Sequence, residues 1–253
     1  MRDRASIKAE AKQIIRTAHV SPLIMTAIVI VICMVLDRVV DLVRYGSLFY
    51  SWGFMDNYVQ AVLSGNSAAL EALILSIPEE ATSSFFFSTL VSLFALILNG
   101  GYYIYCMGIR QGLEMPYATL SDGLAVAGKL IWCWVQVSVK VFLWSLLFVI
   151  PGVIAAYRYT FAYYNVLTDP SLSAGGAIRL SCEQTRGIKG DLFMLDLSFI
   201  GWNILSSITM GLADIWVTPY QVLCHLAYFE DAQRRLGRAP YGGGYSSTSS
   251  WEI

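Results

Sequence analysis

Residues 130–167 read LIWCWVQVSVKVFLWSLLFVIPGVIAAYRYTFAYYNVL, and how this stretch divides decides the fold. As one straight helix it would be about 57 Å long, nearly twice the roughly 30 Å hydrocarbon core of a bilayer. The Pro151-Gly152 pair near its centre favours a turn or a sharp kink. The stretch is therefore expected to fold back as a hairpin of two membrane helices, 130–150 and 153–167, hinged at Pro151 and Gly152.

Working outward, four more apolar runs of membrane-helix character stand on either side. The run 23–43 is charged at its outer end by Asp37, Arg38 and Asp41, so its hydrocarbon part is mainly Leu23 to Leu36. The run 85–109 is interrupted only by Asn99, Gly100 and Gly101, and such glycines let a neighbouring helix approach closely. Two further runs, 192–212 and 215–229, close the set. The expected fold class is an all-α polytopic transmembrane bundle of about six spans with interfacial amphipathic helices. The spans 153–167 and 215–229 are short, which leaves them open to reading as tilted or re-entrant.

Composition points the same way. Of 253 residues, 56% are hydrophobic and only 14% charged, against about 25% charged in an ordinary soluble domain. The charges also sort. Arg2, Arg4, Lys8, Lys12 and Arg16 precede the first span, Arg110 and Lys129 flank the second connection, Arg179, Arg186 and Lys189 follow the fourth span, and Arg234, Arg235 and Arg238 follow the sixth. All fall on one side of a six-span chain, whereas Asp37, Asp41, Asp56, Glu71, Glu79, Glu80 and Asp214 outnumber Arg38 and Arg44 on the other. Basic segments accumulate on the cytoplasmic side, so both termini are expected there. No small-residue cleavage site follows the first apolar run, and a removable signal peptide is not expected.

Outside the 21–235 membrane bundle, residues 1–20 place Ile7, Ala11, Ile14, Ile15 and Ala18 at helical spacing with Lys8, Lys12 and Arg16 on another face. This is the pattern of a cytoplasmic interfacial helix, either binding anionic lipid or simply orienting the first span. The outer loop 44–84 contains a helix capped at Asn66 and ended near Pro78. The segment after Asp169-Pro170-Ser171 reads as a cytoplasmic surface helix, with Ala177, Ile178, Cys182 and Thr185 opposite Arg179, Glu183 and Arg186. Residues 236–253, rich in Gly, Ser and Tyr, read as a disordered cytoplasmic tail.

Ionisable residues in lipid are costly and mark candidate sites. Lys140 near the middle of the third span, Arg158 in the fourth and Asp196 one turn into the fifth form the candidate intramembrane polar site. Lys140 is expected to pair with Asp196, and Arg158 with Asp37 or Asp214. The tyrosines around Arg158 and at Tyr102, Tyr103 and Tyr105 read as interfacial anchors. No GxSxG, HExxH or phosphate-binding glycine loop occurs, so no catalytic residue and no cofactor is expected. Five isolated cysteines and the distant His19 and His225 suggest no metal site. No basic patch interleaved with aromatics suggests a nucleic acid. Membrane lipids are the expected partners, with a membrane protein or a second copy beside them; Gly108 and Gly112 are spaced for helix packing.

The stretch 143–159, followed by Asp169-Pro170, Gly187-Ile-Lys-Gly190, Leu197-Ser-Phe-Ile-Gly-Trp202, Pro219-Tyr220 and Ala227-Tyr-Phe-Glu230, resembles an uncharacterised bacterial integral membrane family, domain of unknown function 975. The resemblance covers roughly Phe85 to Asp231. It implies a multi-pass cytoplasmic-membrane protein of Gram-positive type bacteria and carries no agreed activity or catalytic residues. Two functions are expected in competition: a non-enzymatic accessory or protective component of the envelope, and a small-solute or ion transporter or channel built on the 130–167 hairpin. An intramembrane lipid-modifying enzyme stands third.

Overall fold

The structure is a computed structural model that describes residues 2–50, 52–75 and 81–239. The tail from Pro240 onward and the expected helix stop near Pro78 lie outside the described residues, as do the side chains of Asp41, Arg44, Glu79 and Glu80. Among the described residues the chain is helical, without strands. It divides into two compact units, one of residues 31–95 and one that joins residues 1–30 to 96–253.

Within the 31–95 unit, helices α2 (Pro22–Tyr50) and α5 (Ala81–Arg110) enter and leave, with α3 (Trp52–Leu63) and α4 (Ser67–Leu75) between them. Part of the expected outer loop is therefore helix. Gly65 takes a left-handed φ of 64° to end α3, and the Asn66 side chain accepts the Ala69 amide at 3.1 Å to start α4. Val31, Val35 and Val39 of α2 face outward, as they must if this helix meets hydrocarbon.

In the larger unit, α1 (Arg4–Thr17) is amphipathic as expected, but its apolar stripe is already occupied. Ile7 and Ala11 are fully buried, with α12 (Asp214–Arg235) packed against the helix. After α5, a 3-10 helix (Tyr117–Val126) runs back along it. A Cβ on Gly101 would lie 2.7 Å from the Leu120 Cα, and one on Gly123 would lie 2.8 Å from the Gly101 nitrogen. The close approach anticipated at the glycines of this run is thus made by the 3-10 segment. Gly108 is covered inside the chain by Met115, so that position serves internal packing rather than a second copy.

The 130–167 stretch does reverse, though not at Pro151-Gly152. Helix α6 (Ala127–Leu147) ends at Phe148, the single extended residue (φ −161°, ψ 156°), and α7 (Val149–Tyr159) begins directly after it. Pro151 sits in the first turn of α7, where its missing N–H and fixed φ suit a helix start. Gly152 lets α7 lie against α6, since a Cβ there would be 2.9 Å from the Ser145 Cα. The descending arm is broken again at Thr160-Phe161 before α8 (Ala162–Thr168), so the expected span 153–167 is two short helices.

Helix α9 (Ala174–Gln184) has the two faces expected of it, with the uncharged one sunk deeper than a surface helix needs. Ser181, Gln184 and Thr185 are fully buried along with Ala177, because α9 packs into a bundle with α6, α8 and the charged end of α12. Only Arg179, Glu183 and Arg186 stay outside. The expected span 192–212 is a bent pair, α10 (Lys189–Leu197) and α11 (Ile200–Ile208), meeting at 42°.

Among the described residues, three helical stretches are long and apolar enough to cross a membrane, at 22–40, 86–110 and 117–147, or four if the bent α10–α11 pair is one span. Helices α7 and α8 are too short individually, and α12 carries Glu230 and Asp231 in its lower half. The core of the larger unit is aromatic: Phe161 and Tyr164 each stand 5.5 Å from Phe229, and Tyr164 is edge-on to Tyr103 at 5.3 Å. Such pairs add about 0.5–1.5 kcal/mol beyond the area they bury.

Candidate functional site

Arg110 closes α5 with a guanidinium only 1% exposed. A charge so placed needs partners, because desolvation without pairing costs several kcal/mol. Its Nε and Nη2 donate to the two carboxylate oxygens of Glu230 at 2.7 and 2.9 Å, Nη2 also donates to Glu10 at 3.0 Å, and Nη1 donates to the Leu223 carbonyl at 3.1 Å. The same two carboxylates reach Arg2, whose guanidinium donates to Glu10 at 2.7 Å and to Glu230 at 3.4 Å, and it also donates to Asp231 at 2.9 Å. Three ends of the chain's helices, the start of α1, the end of α5 and the end of α12, are therefore tied into one ionic cluster. The basic sorting of the sequence singled out Arg110 and Arg2 but not their acidic partners.

The basic stripe of α1 is engaged as well. Lys8 donates to the Ser198 hydroxyl at 2.7 Å and stands 4.7 Å over the Phe199 ring, while Lys12 is 5.7 Å over Tyr220. Phe199 and Tyr220 are themselves edge-to-face at 5.1 Å. The α10–α11 bend thus receives cations over aromatic faces, a contact of about 0.5–1 kcal/mol each where exposed.

The three side chains expected to form an intramembrane site are not gathered. Asp196 is bonded to His225 Nε2 at 2.7 Å and accepts the Tyr157 hydroxyl at 2.8 Å, joining α10, α12 and α7. Lys140 points toward the Tyr159 ring, 6.0 Å from its centre, and Arg158 donates to the Cys182 sulfur at 3.2 Å. Asp214 takes the Ser206 hydroxyl. Sequence reasoning missed His225 because its nearest ionisable partner lies 29 residues away along the chain. The hinge pair Pro151 and Gly152 stands just after the turn.

A second polar centre holds the broken arm of the hairpin. The freed Phe161 amide donates to the Ser181 hydroxyl at 3.1 Å, and Ser181 in turn donates to the Arg158 carbonyl at 3.0 Å. Asn165 and Gln184 exchange two amide bonds at 2.8 and 2.9 Å while fully buried. The Phe161 amide and the Arg158 carbonyl, both at the α7–α8 break, are thus met by α9, as buried backbone polarity requires.

Among the described residues, no group of three or more His, Cys, Asp or Glu side chains is placed to hold a metal ion. A shallow hollow of about 560 Å³ on the base is lined by Arg2, Asp231, Arg234 and Arg235, and a second of about 420 Å³ by Glu183, Arg186 and Arg235. Both are open and charged. The chemistry available here is ionic and hydrogen-bonded cross-linking of helices.

A family model described as "Protein of unknown function (DUF975)" matches residues 1–235. No curated protein and no solved structure matches the chain.

Proposed function

Since the chain belongs to the DUF975 family of unknown function, we propose that it is a multi-pass protein of the cell membrane, a non-enzymatic accessory or protective component of the envelope. The observation that carries this reading is the fate of the polar side chains. Lys140, Arg158 and Asp196 are each turned to a different neighbour in the same chain instead of converging on a shared path. A conduction route or an intramembrane active site needs such groups directed at a common space. The partners proposed are membrane lipids and either another membrane protein or a second copy, met by the outward apolar faces.

Both termini are placed on the cytoplasmic side. The Arg2–Glu10–Arg110–Glu230 cluster supports this, because it draws the N-terminus and the ends of α5 and α12 to one level, the level of the basic segments. Six crossings follow if the turns at 148 and 209–213 both reach the far face. Four follow if the first of them does not.

The competing reading is a transporter or channel. The interrupted α6–α7 and α10–α11 helices favour it, since broken helices often line binding sites. Purified protein in proteoliposomes separates the two. No flux across a broad panel of ions and small solutes is the expected outcome. Solute flux that Lys140→Met abolishes, with expression intact, would establish the transporter and overturn the accessory role.

A further inference from the structure

The turn between α6 and α7 is apolar throughout. Leu147, Phe148, Val149 and Ile150 are 65, 73, 76 and 73% exposed, and from Val141 to Ala156 the only hydroxyl or amide side chain is Ser145, which faces Gly152. A turn that emerged into water would be expected to carry turn residues or charge at its tip. The α6–α7 turn carries no charge, and its turn-favouring pair, Pro151 and Gly152, is drawn inside α7.

Its backbone reverses within a very short segment. Reversal takes one extended residue, the Phe148 amide still donates to the Trp144 carbonyl at 3.4 Å, and the Gly152 amide donates to the Phe148 carbonyl at 3.3 Å. Pro151 has no amide hydrogen to satisfy. The non-helical backbone at the tip is thereby kept to a single residue.

The water level on this hairpin is marked by α9. That helix is held to the lower arms at both ends: Gly175 lies beside Gln136, and Cys182 accepts from Arg158. Arg179 and Glu183 of α9 and Arg186 just beyond it are exposed and belong in water or among head groups. The arms below Lys140 and Arg158 therefore stand at or outside the interface. From Lys140 to Phe148 the rise is about 12 Å, and from Arg158 to Phe148 about 15 Å. A hydrocarbon core about 30 Å thick is thus entered only halfway.

Resting on the membrane reading above, we propose that the α6–α7 hairpin is a one-leaflet wedge. It enters from the side of the basic segments, sets its tip against acyl chains near the midplane, and returns to the same side. The partner this surface fits is the hydrocarbon of that single leaflet, so the protein displaces lipid unequally between leaflets.

The test places single spin labels at Lys140→Cys, Ile150→Cys and Arg158→Cys in a background with the native cysteines replaced by Ala. The protein is reconstituted in phosphatidylcholine and phosphatidylglycerol vesicles. Oxygen access relative to a water-soluble nickel chelate is expected to rise severalfold from positions 140 and 158 to a maximum at 150. A maximum at 140 and 158, with chelate access at 150, would mean that the hairpin crosses, and would overturn the wedge. Low access to both probes at 150 with label–label broadening would mean that a second copy covers the tip, and would overturn it too. The unaltered chain gives a second measurement in vesicles carrying a phospholipid with a diazirine at the acyl terminus. Photo-adducts are expected at 146–150, and adducts centred on 138–142 would overturn the wedge. Failure of the membrane reading itself would show separately, as protein that does not float with vesicles.

Discussion

Arg110 and Glu230, 120 residues apart, form a two-bonded ion pair at 2.7 and 2.9 Å with both side chains withdrawn from solvent. The pair fastens the end of α5 to the end of α12, and Glu10 and Arg2 extend it to α1. Removing one member leaves the other charged and buried. Glu230→Gln or Arg110→Met is expected to destabilise the protein by about 3–5 kcal/mol, read as a lowered unfolding temperature in detergent. Arg234→Gln, an exposed partner 3.9 Å from the same carboxylate, is expected to leave it unchanged. Equal effects from the two would show that the pair is not what holds these helices.

Glycine substitutions are expected to change sign with position. Gly101→Ala forces a methyl group onto the backbone of Leu120 and should cost about 1–3 kcal/mol. Gly201→Ala, which meets nothing within 4 Å, should leave stability unchanged or raise it by up to about 1 kcal/mol. Chemical or thermal unfolding of the two variants side by side checks this. Destabilisation at Gly201 matching that at Gly101 would contradict the packing described.

The Asn165–Gln184 exchange predicts strong coupling. Asn165→Leu strands the Gln184 amide in a fully buried place, at a cost of about 1–3 kcal/mol. The double variant Asn165→Leu/Gln184→Leu should recover part of that loss, because both partners are then apolar. Additive losses in the double-mutant cycle would mean that the two amides do not depend on each other.

Helix α1 is expected to be held by the protein rather than by anionic lipid. Amides around Ile7 and Ala11 should stay protected from hydrogen exchange in a neutral detergent, and Ile7→Asp should speed their exchange at least about tenfold, the equivalent of about 1.4 kcal/mol. Protection that appears only when anionic lipid is added would return α1 to the role of an interfacial anchor.

Much of the architecture was legible in advance, and the misreadings have a common origin. The apolar runs, the amphipathic α1, the cap at Asn66 and the reversal within 130–167 all follow from local pattern. The two faces of α9 follow from its pattern, but the depth of burial of Ser181 and Gln184 does not, because only their pairing with Phe161 and Asn165 accounts for burying them. The turn was expected at Pro151-Gly152 on turn propensity. It formed at Phe148 because Pro is better used inside the first turn of α7, with Gly152 free to meet Ser145.

The sequence by itself determined that this is a helical chain with stretches apolar enough for lipid and that its bases sort to particular connections. Hydropathy and charge are sums over neighbouring residues and survive without coordinates. Only the tertiary structure decided which polar groups meet: Asp196 with His225 and Tyr157 instead of Lys140, and Arg110 with Glu230. Partner choice depends on how distant helices are brought side by side, and a buried ion or amide takes whichever complementary group the packing delivers within about 3 Å. The physical reason is that desolvation compels a partner without naming one.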